Sequence, residues 1–165
     1  MIKVNSKVKL NMPKLKQLSQ ATVTALEQTA EELHTEVVQA QVIPRKDGAL
    51  QGEAFFVDKS QSAAGRVSLV HDVPYARRLY YHPEYEFHTG PWEEFVAEKN
   101  GKKRTFDTKA EAKDYAGKDG KVHHYTHEGN PNAKGKWFED WEPGGSKADF
   151  AVKAYKRILR RLTRL

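Results

Sequence analysis

Five of the seven histidines fall between residues 82 and 127, where they are the side chains best suited to bind a metal ion. Zinc needs ligands that converge on one point, and two histidines four residues apart achieve this on a helix. The run Lys121–Tyr125 is instead typical of a strand, along which His123 and His127 would lie roughly 13 Å apart. No glutamate lies between them as in a metalloprotease helix. We therefore interpret the histidines of this region as solvated or stacked on aromatic rings, and we expect neither a metal nor a cofactor.

Scattered carboxylates raise a second chemistry, the metal-dependent cleavage of nucleic acid. Such cleavage needs two or more carboxylates around a divalent ion. Glu53, Asp58 and Asp72 lie in or beside two predicted strands, but their spacing is loose, and parity places the first two on opposite strand faces. The chain has no phosphate-binding glycine loop and no Gly-x-Ser-x-Gly nucleophile motif. The sequence favours a protein that is not an enzyme, with a metal-dependent nuclease as the weaker alternative.

A basic surface is the third chemical feature. The net charge is +6 and the isoelectric point is about 9.4, which favours an acidic partner, either nucleic acid or an acidic protein face. The last predicted helix, which the pattern begins at a Ser146 cap, is rich in Lys and Arg but lacks the base-reading Asn and Gln of a recognition helix. Salt-dependent contact with DNA phosphates and a merely solvated basic face remain equal alternatives. The candidate DNA-facing residues are Arg157, Arg160, Arg161 and Arg164.

Composition limits the class of protein further. The absence of cysteine excludes disulfides, thiol nucleophiles and cysteine-based zinc sites. No apolar run approaches the roughly 18 residues of a membrane span, and Met1–Asn5 has no hydrophobic signal region. We expect an intracellular, soluble domain that does not bind membranes.

The elements that must position these residues follow an α+β pattern. Pro13 suits the first turn of a long amphipathic helix that runs to about residue 41, after a weak edge-strand pattern in residues 2–10. Residues 53–57 and 66–70 predict a hairpin, so both terminal helices are expected to pack on a small antiparallel sheet. The apolar stripe of the first helix consists of Leu15, Leu18, Leu26, Ala30, Leu33 and Val37.

Residues 82–129 differ sharply in composition, with many aromatic, histidine, lysine and glutamate residues and few aliphatic ones. Trp92–Val96 and Lys121–Tyr125 are candidate strands, Asn100-Gly101 is a turn signal, and Thr108 begins a capping-box pattern for a short helix. We predict an inserted β-rich lobe at 82–129 in a core formed by residues 1–81 and 130–165. Its thin interior would need support from the core.

Exposed aromatic and arginine residues are typical of protein interfaces. Trp137, Phe138 and Trp141 lie in a Gly- and Pro-rich segment, where packing in the core is the alternative role. The candidates for interface contact or packing are Arg45, Tyr75, Arg77, Trp137, Phe138 and Trp141.

Three segments together resemble the minor capsid or head–tail joining proteins of siphophages that infect Gram-positive bacteria. Ile43–Leu50 (Ile-Pro-Arg-Lys-Asp-Gly-Ala-Leu) is similar to that family's Val-Pro-x-x-Thr-Gly-x-Leu turn after a long first helix. Val73–Arg77 matches its Pro-Tyr-Ala-Arg stretch, and Asn130–Glu139 is similar to its Asn-Ala-x-x-x-Trp-Phe-Glu segment. The chain departs from the family at Asp47 and Glu53, and in the length of the lobe, which the resemblance does not cover.

The resemblance implies a structural virion protein with no catalytic residues. It would form a homo-oligomeric ring, a hexamer or dodecamer, at the head–tail interface, after assembly in the host cytoplasm. Its implied neighbours are connector or head-closure proteins and tail-terminator proteins, with passing contact to phage DNA. A ring needs heterologous interfaces that close, and the aromatic and arginine residues above are candidates for them.

Overall fold

A computed structural model describes residues 11–163 of the chain. The helices are α1 (Met12–Gln39), α2 (Ala76–Tyr81), α3 (Lys109–Ala116) and α4 (Phe150–Leu162), and the strands are β1 (Phe55–Asp58), β2 (Ser68–His71), β3 (Trp92–Lys99), β4 (Lys102–Phe106) and β5 (Lys121–His127). The predicted α+β class, with long terminal helices and small antiparallel sheets, is confirmed. The edge strand predicted in residues 2–10 and the candidate Arg164 lie outside the described residues.

Helix α1 begins at a cap made by Asn11, whose side chain accepts the backbone N–H of Lys14 at 3.1 Å. Its 28 residues span roughly 42 Å. Only the second half of the predicted stripe is buried. Leu15 and Leu18 are 45% and 49% exposed, so the start of the stripe does not pack against the rest of the described chain. The end of α4 at Leu162 lines a shallow groove on the other side of α1 with Gln17, Gln20 and Ala21, and every side chain from residue 11 to residue 20 is exposed.

The predicted hairpin is present, with its strands shifted by two residues or fewer. β1 pairs antiparallel with β2 in the register Phe55↔His71 to Asp58↔Ser68. The loop between the strands contains a short 3-10 turn at Ser62–Ala64 and ends at Gly65, whose φ of 80° suits glycine. This hairpin packs against the second half of α1.

The lobe is a three-stranded antiparallel sheet in the order β4-β3-β5, covered by α3. Its strands are longer than predicted, and Asn100-Gly101 forms the turn between β3 and β4 with both φ angles positive. Thr108 caps α3 by accepting the backbone N–H of Glu111 at 3.3 Å, as predicted.

Helix α4 starts later than the sequence pattern predicted. Its N-cap is Asp149 rather than Ser146, which lies in a turn and whose hydroxyl donates to Asp140 at 3.2 Å. The Gly144-Gly145 bend places Ser146 back against residue 140, so the helix cannot begin there. α4 then packs antiparallel to α1, burying Ala154 and Ile158.

The main hydrophobic core lies at the carboxyl end of α1. It joins residues that are far apart in the chain: Val37, Val42, Ile43, Leu50, Phe55, Ala76 and Trp137. A second, smaller cluster belongs to the lobe and consists of Phe95, Ala97, Ala112 and Ala116.

Candidate interaction surface

The three segments that carry the family resemblance meet at the end of α1. The Asn130 side-chain amide donates to the carbonyl of Ile43 at 2.7 Å, and the Lys134 backbone N–H donates to Val42 at 3.0 Å. The Lys136 backbone N–H then donates to the carbonyl of Tyr80 at 2.8 Å. The segment after the lobe therefore connects the post-helix turn to α2. Asn130, which is 1% exposed, is the buried polar anchor of this junction.

The turn after α1 is closed by side-chain chemistry. Asp47 accepts the backbone N–H of Ala49 at 3.0 Å, and Gly48 follows with a φ of 87°. Threonine and serine can accept the same backbone N–H in a turn of this kind. Asp47 therefore makes the contact that the residue usual in the family would make. Glu53, the second departure, is exposed.

Glycine is required at position 135 because the backbone there lies against the backbone of Pro83. A Cβ at this position would lie 2.6 Å from the Cα of Pro83, so a larger residue would separate the Asn130–Glu139 segment from the chain after α2.

His71 and Trp137 form the centre of an aromatic cluster. Trp137 is 1% exposed, and its indole N–H donates to Nε2 of His71 at 3.0 Å. The Nδ1 of His71 lies 3.0 Å from the carbonyl of Leu50, which can only accept, so His71 is neutral with its proton on Nδ1. Burial lowers the pKa of His71, and nearby His34 acts in the same direction, while the hydrogen bond to Leu50 opposes the shift.

A groove of about 310 Å³ opens beside this cluster. Tyr80 forms one wall and contacts Trp137 edge-on, with ring centroids 4.9 Å apart. Its hydroxyl donates to Glu142 at 2.8 Å, and burial together with this carboxylate raises the pKa of Tyr80 well above its usual value. The remaining lining residues are His71, Ala76, Arg77, Tyr81, Trp137 and Phe138. This aromatic groove combines an apolar floor with charged groups at its edge.

The interface candidates divide between surface and core. Arg77 is exposed at the edge of the groove, and Tyr75 is 41% exposed. Burial and Asp47 raise the pKa of Tyr75. Arg45 is exposed and pairs with Glu128 at 2.9 Å, which ties the post-helix turn to the end of the lobe.

The aromatic candidates of the 130–145 segment lie deeper. Trp137 is 1% exposed and packs in the core, and it also lines the floor of the aromatic groove. Phe138 and Trp141 are half-buried and pack against the same cluster. The ammonium of Lys147 lies 4.9 Å from the Trp141 ring centroid.

A buried charge cluster joins the lobe to the core. The side chain of Glu94 on β3 is 7% exposed and accepts from Lys46 at 2.5 Å and from Nε2 of His127 at 2.8 Å. Burial disfavours ionisation of Glu94, but these two hydrogen bonds outweigh it and hold its pKa below the usual value. Nδ1 of His127 faces the carbonyl of Lys46 at 3.1 Å. Both ring nitrogens of His127 thus face oxygen atoms.

The other lobe histidines stack on aromatic rings, as predicted. His88 lies parallel to Trp92 with ring centroids 4.0 Å apart, and His124 lies parallel to Phe95 at 4.7 Å. Within residues 11–163, no group of three or more histidine or carboxylate side chains converges to hold a metal ion.

The carboxylates considered for nuclease chemistry are not brought together. Glu53 and Asp72 are exposed and lie outside the strands. Asp58 accepts the backbone N–H of Ser60 at 2.9 Å, and this hydrogen bond lowers its pKa. Its side chain therefore closes the hairpin loop.

Much of the basic face of α4 is paired within the chain. Arg157 contacts Glu32 and Lys153 contacts Asp149, while Arg161 donates to the side chain of Gln28 at 2.8 Å. Arg160 and its neighbour Lys156 are exposed. Fewer basic side chains of α4 are therefore available to bind an external anion than the sequence alone indicates.

Sequence reasoning missed His71, Glu94 and Lys46. His71 sits at the end of a strand as one of many histidines, and Glu94 lies in a charged run, so neither residue type nor spacing marks them as buried. Alternation along β3 places Glu94 and Phe95 on opposite faces of the sheet, which would leave Glu94 exposed. Both are buried because the turn after α1 covers the face that carries Glu94.

None of the helices in residues 11–163 has the length and apolarity needed to cross a membrane. Comparison of the chain with protein-family models, with curated protein sequences and with solved structures found no match.

Proposed function

We propose that this chain is a structural subunit of a tailed-phage neck, acting in head–tail joining or tail completion as part of a hexameric or dodecameric ring. The observation that carries the proposal is the junction of three segments at the end of α1, held by Asn130 and Trp137. These are the segments whose sequences and order along the chain resemble those of the siphophage minor capsid family. Their mutual contacts support a shared structural role for the three segments.

The distribution of polar and apolar groups also supports an assembly role. The aromatic groove lies open beside the core. At the other end of α1, the apolar side chains of Met12, Leu15 and Leu18 are exposed. Apolar surface of this kind is typical of a protein that is completed by partners. The proposed partners are further copies of the chain, connector or head-closure proteins, and tail-terminator proteins, with the virion neck as the final location.

Deletion of the gene from a phage that carries it tests this role. We expect filled heads and complete tails that remain separate in electron micrographs, and restoration of joined particles by the wild-type gene supplied in trans. Joined, infectious particles produced without the gene would overturn the proposal.

Contact with DNA through α4 is the second candidate function, and exposed Lys156 and Arg160 favour it. Anisotropy titration of the free protein with duplex DNA measures it directly. Nanomolar, steeply salt-dependent affinity that is lost in Lys156→Glu/Arg160→Glu would favour a DNA-binding module over a neck subunit.

A further inference from the structure

The first nine residues of α1, Met12–Gln20, form an exposed arm with an unpartnered apolar face. Met12, Leu15 and Leu18 recur at three-residue spacing, so they lie on one side of the helix. They are 64%, 45% and 49% exposed. Every side chain from residue 11 to residue 20 is exposed, so this stripe is open on the described part of the molecule.

The arm is also electropositive. Residues 1–20 contain five lysines and no acidic residue, and two of these lysines, Lys14 and Lys16, lie on the arm. The first turn of α1 has no acidic residue to offset the positive end of the helix dipole. A partner surface for the arm should therefore be apolar with acidic groups around it.

The aromatic groove has these properties. Its floor is Tyr80, Trp137 and Phe138, and Glu142 lies at its edge in contact with the Tyr80 hydroxyl. Glu139 is close enough to act on the pKa of Tyr80 as well. Among the lining residues Arg77 carries a charge, and the carboxylates of Glu139 and Glu142 lie beside the groove, near the Tyr80 hydroxyl. The volume of about 310 Å³ compares with the roughly 150 Å³ that a benzene-sized group occupies, which leaves room for two leucine side chains.

The arm cannot reach the groove of its own chain. The groove lies at the carboxyl end of α1, where Trp137 packs with Val37, and Leu18 lies roughly 30 Å away along the same continuous helix. Any contact between the two must join different molecules. Repeated from each copy to the next, such a contact is head-to-tail, the type of interface that generates a ring when its rotation closes.

We infer that Leu15 and Leu18 of one copy dock in the aromatic groove of the next copy, with Lys16 facing the Glu139 side of that groove. This inference rests on the proposed ring and identifies its interface. One arm in one groove covers less than the roughly 800 Å² per partner of a standard interface. A single contact is therefore weak, and closure of the ring, which gives every copy two contacts, stabilises the assembly.

Complementation between two defective variants tests the inference. The arm variant is Leu15→Ser/Leu18→Ser, with Gln17→Ser/Gln20→Ser as its matched control on the other side of the arm. The groove variant is Tyr81→Ser/Glu139→Lys, and because both altered side chains are exposed we expect it to fold. Circular dichroism checks that each variant folds, and light scattering after size exclusion gives each mass.

We expect the wild type and the control to form rings, and each variant alone to need at least about tenfold more protein to associate. An equal mixture of the two variants retains one intact arm and one intact groove per pair, so it should form dimers and no larger species. An arm variant that still forms rings, or a mixture that associates no better than either variant alone up to millimolar concentration, would overturn the inference and leave the neck role in place. A wild type that stays monomeric up to millimolar concentration would overturn both. Loss of DNA binding in the arm variant, with rings retained, would assign the arm to nucleic acid instead.

Discussion

The core and the lobe bury their apolar residues in different ways. The core cluster unites large side chains from five separate parts of the chain around Trp137. The lobe cluster contains one large side chain, Phe95, and three alanines, all within one short stretch of sequence. The core is therefore stabilised by contacts that are distant in sequence, whereas the lobe depends on local pairing and on its attachment to the core through Glu94. We therefore expect the core to be the more stable region and the lobe to open more easily.

The largest expected effect comes from Trp137→Ala. Removal of this buried ring should lower the free energy of unfolding by about 3–5 kcal/mol, because it opens a cavity and leaves Nε2 of His71 without its donor. Urea denaturation followed by circular dichroism measures the loss. Trp137→Phe keeps an aromatic ring but removes the hydrogen bond, so it should cost clearly less. Equal stability of Trp137→Ala and wild type would contradict the role of the core.

Phe95→Ala should act on the lobe alone. We expect the free energy of local opening to fall by up to about 3 kcal/mol for amides of β3 and β5, while amides of α1 keep their protection. Hydrogen exchange read by mass spectrometry resolves the two regions. If α1 loses protection equally, the lobe is an integral part of the core and the comparison fails.

Much of this division was predictable from the sequence. Periodicity identified α1, the hairpin and α4, because a periodic signal is local. The bounds of the lobe at 82–129 stay a prediction from composition. The exposure of Leu15 and Leu18 was not predictable, since a helical stripe does not reveal where the partner helix ends. The burial of Glu94 and the contact between His71 and Trp137 were not predictable either, because they depend on segments that meet only in the folded chain.

Glu94→Gln tests the attachment between the two regions. The change removes the charge that pairs with Lys46 and His127, and we expect a loss of about 1–3 kcal/mol, with faster hydrogen exchange in β5. Glu93→Gln is the matched control, since the neighbouring Glu93 side chain is 61% exposed and should leave stability unchanged. Identical behaviour of the two variants would show that the buried cluster does not hold the lobe.

A smaller effect is expected from the pH dependence of the core. The pKa of His71 is lowered in the folded state, so the unfolded chain binds a proton more readily. The stability contributed by neutral His71 is complete above its unfolded pKa of about 6.5 and declines as the pH falls below that value. Urea midpoints between pH 7.5 and pH 5 should fall less steeply in His71→Gln than in the wild type. If the urea midpoints of the two proteins fall equally steeply with pH, protonation of His71 does not destabilise the folded state, and the prediction is wrong.

The central claim is that this chain is a fixed component of the virion neck, and a copy count in purified particles tests it most directly. Quantitative mass spectrometry with an isotope-labelled standard gives copies per virion, and gold-labelled antibody gives their position. We predict a hexameric or dodecameric complement located where the head meets the tail. Absence from washed particles, or a copy number as high as that of a shell or tube protein, would contradict the claim.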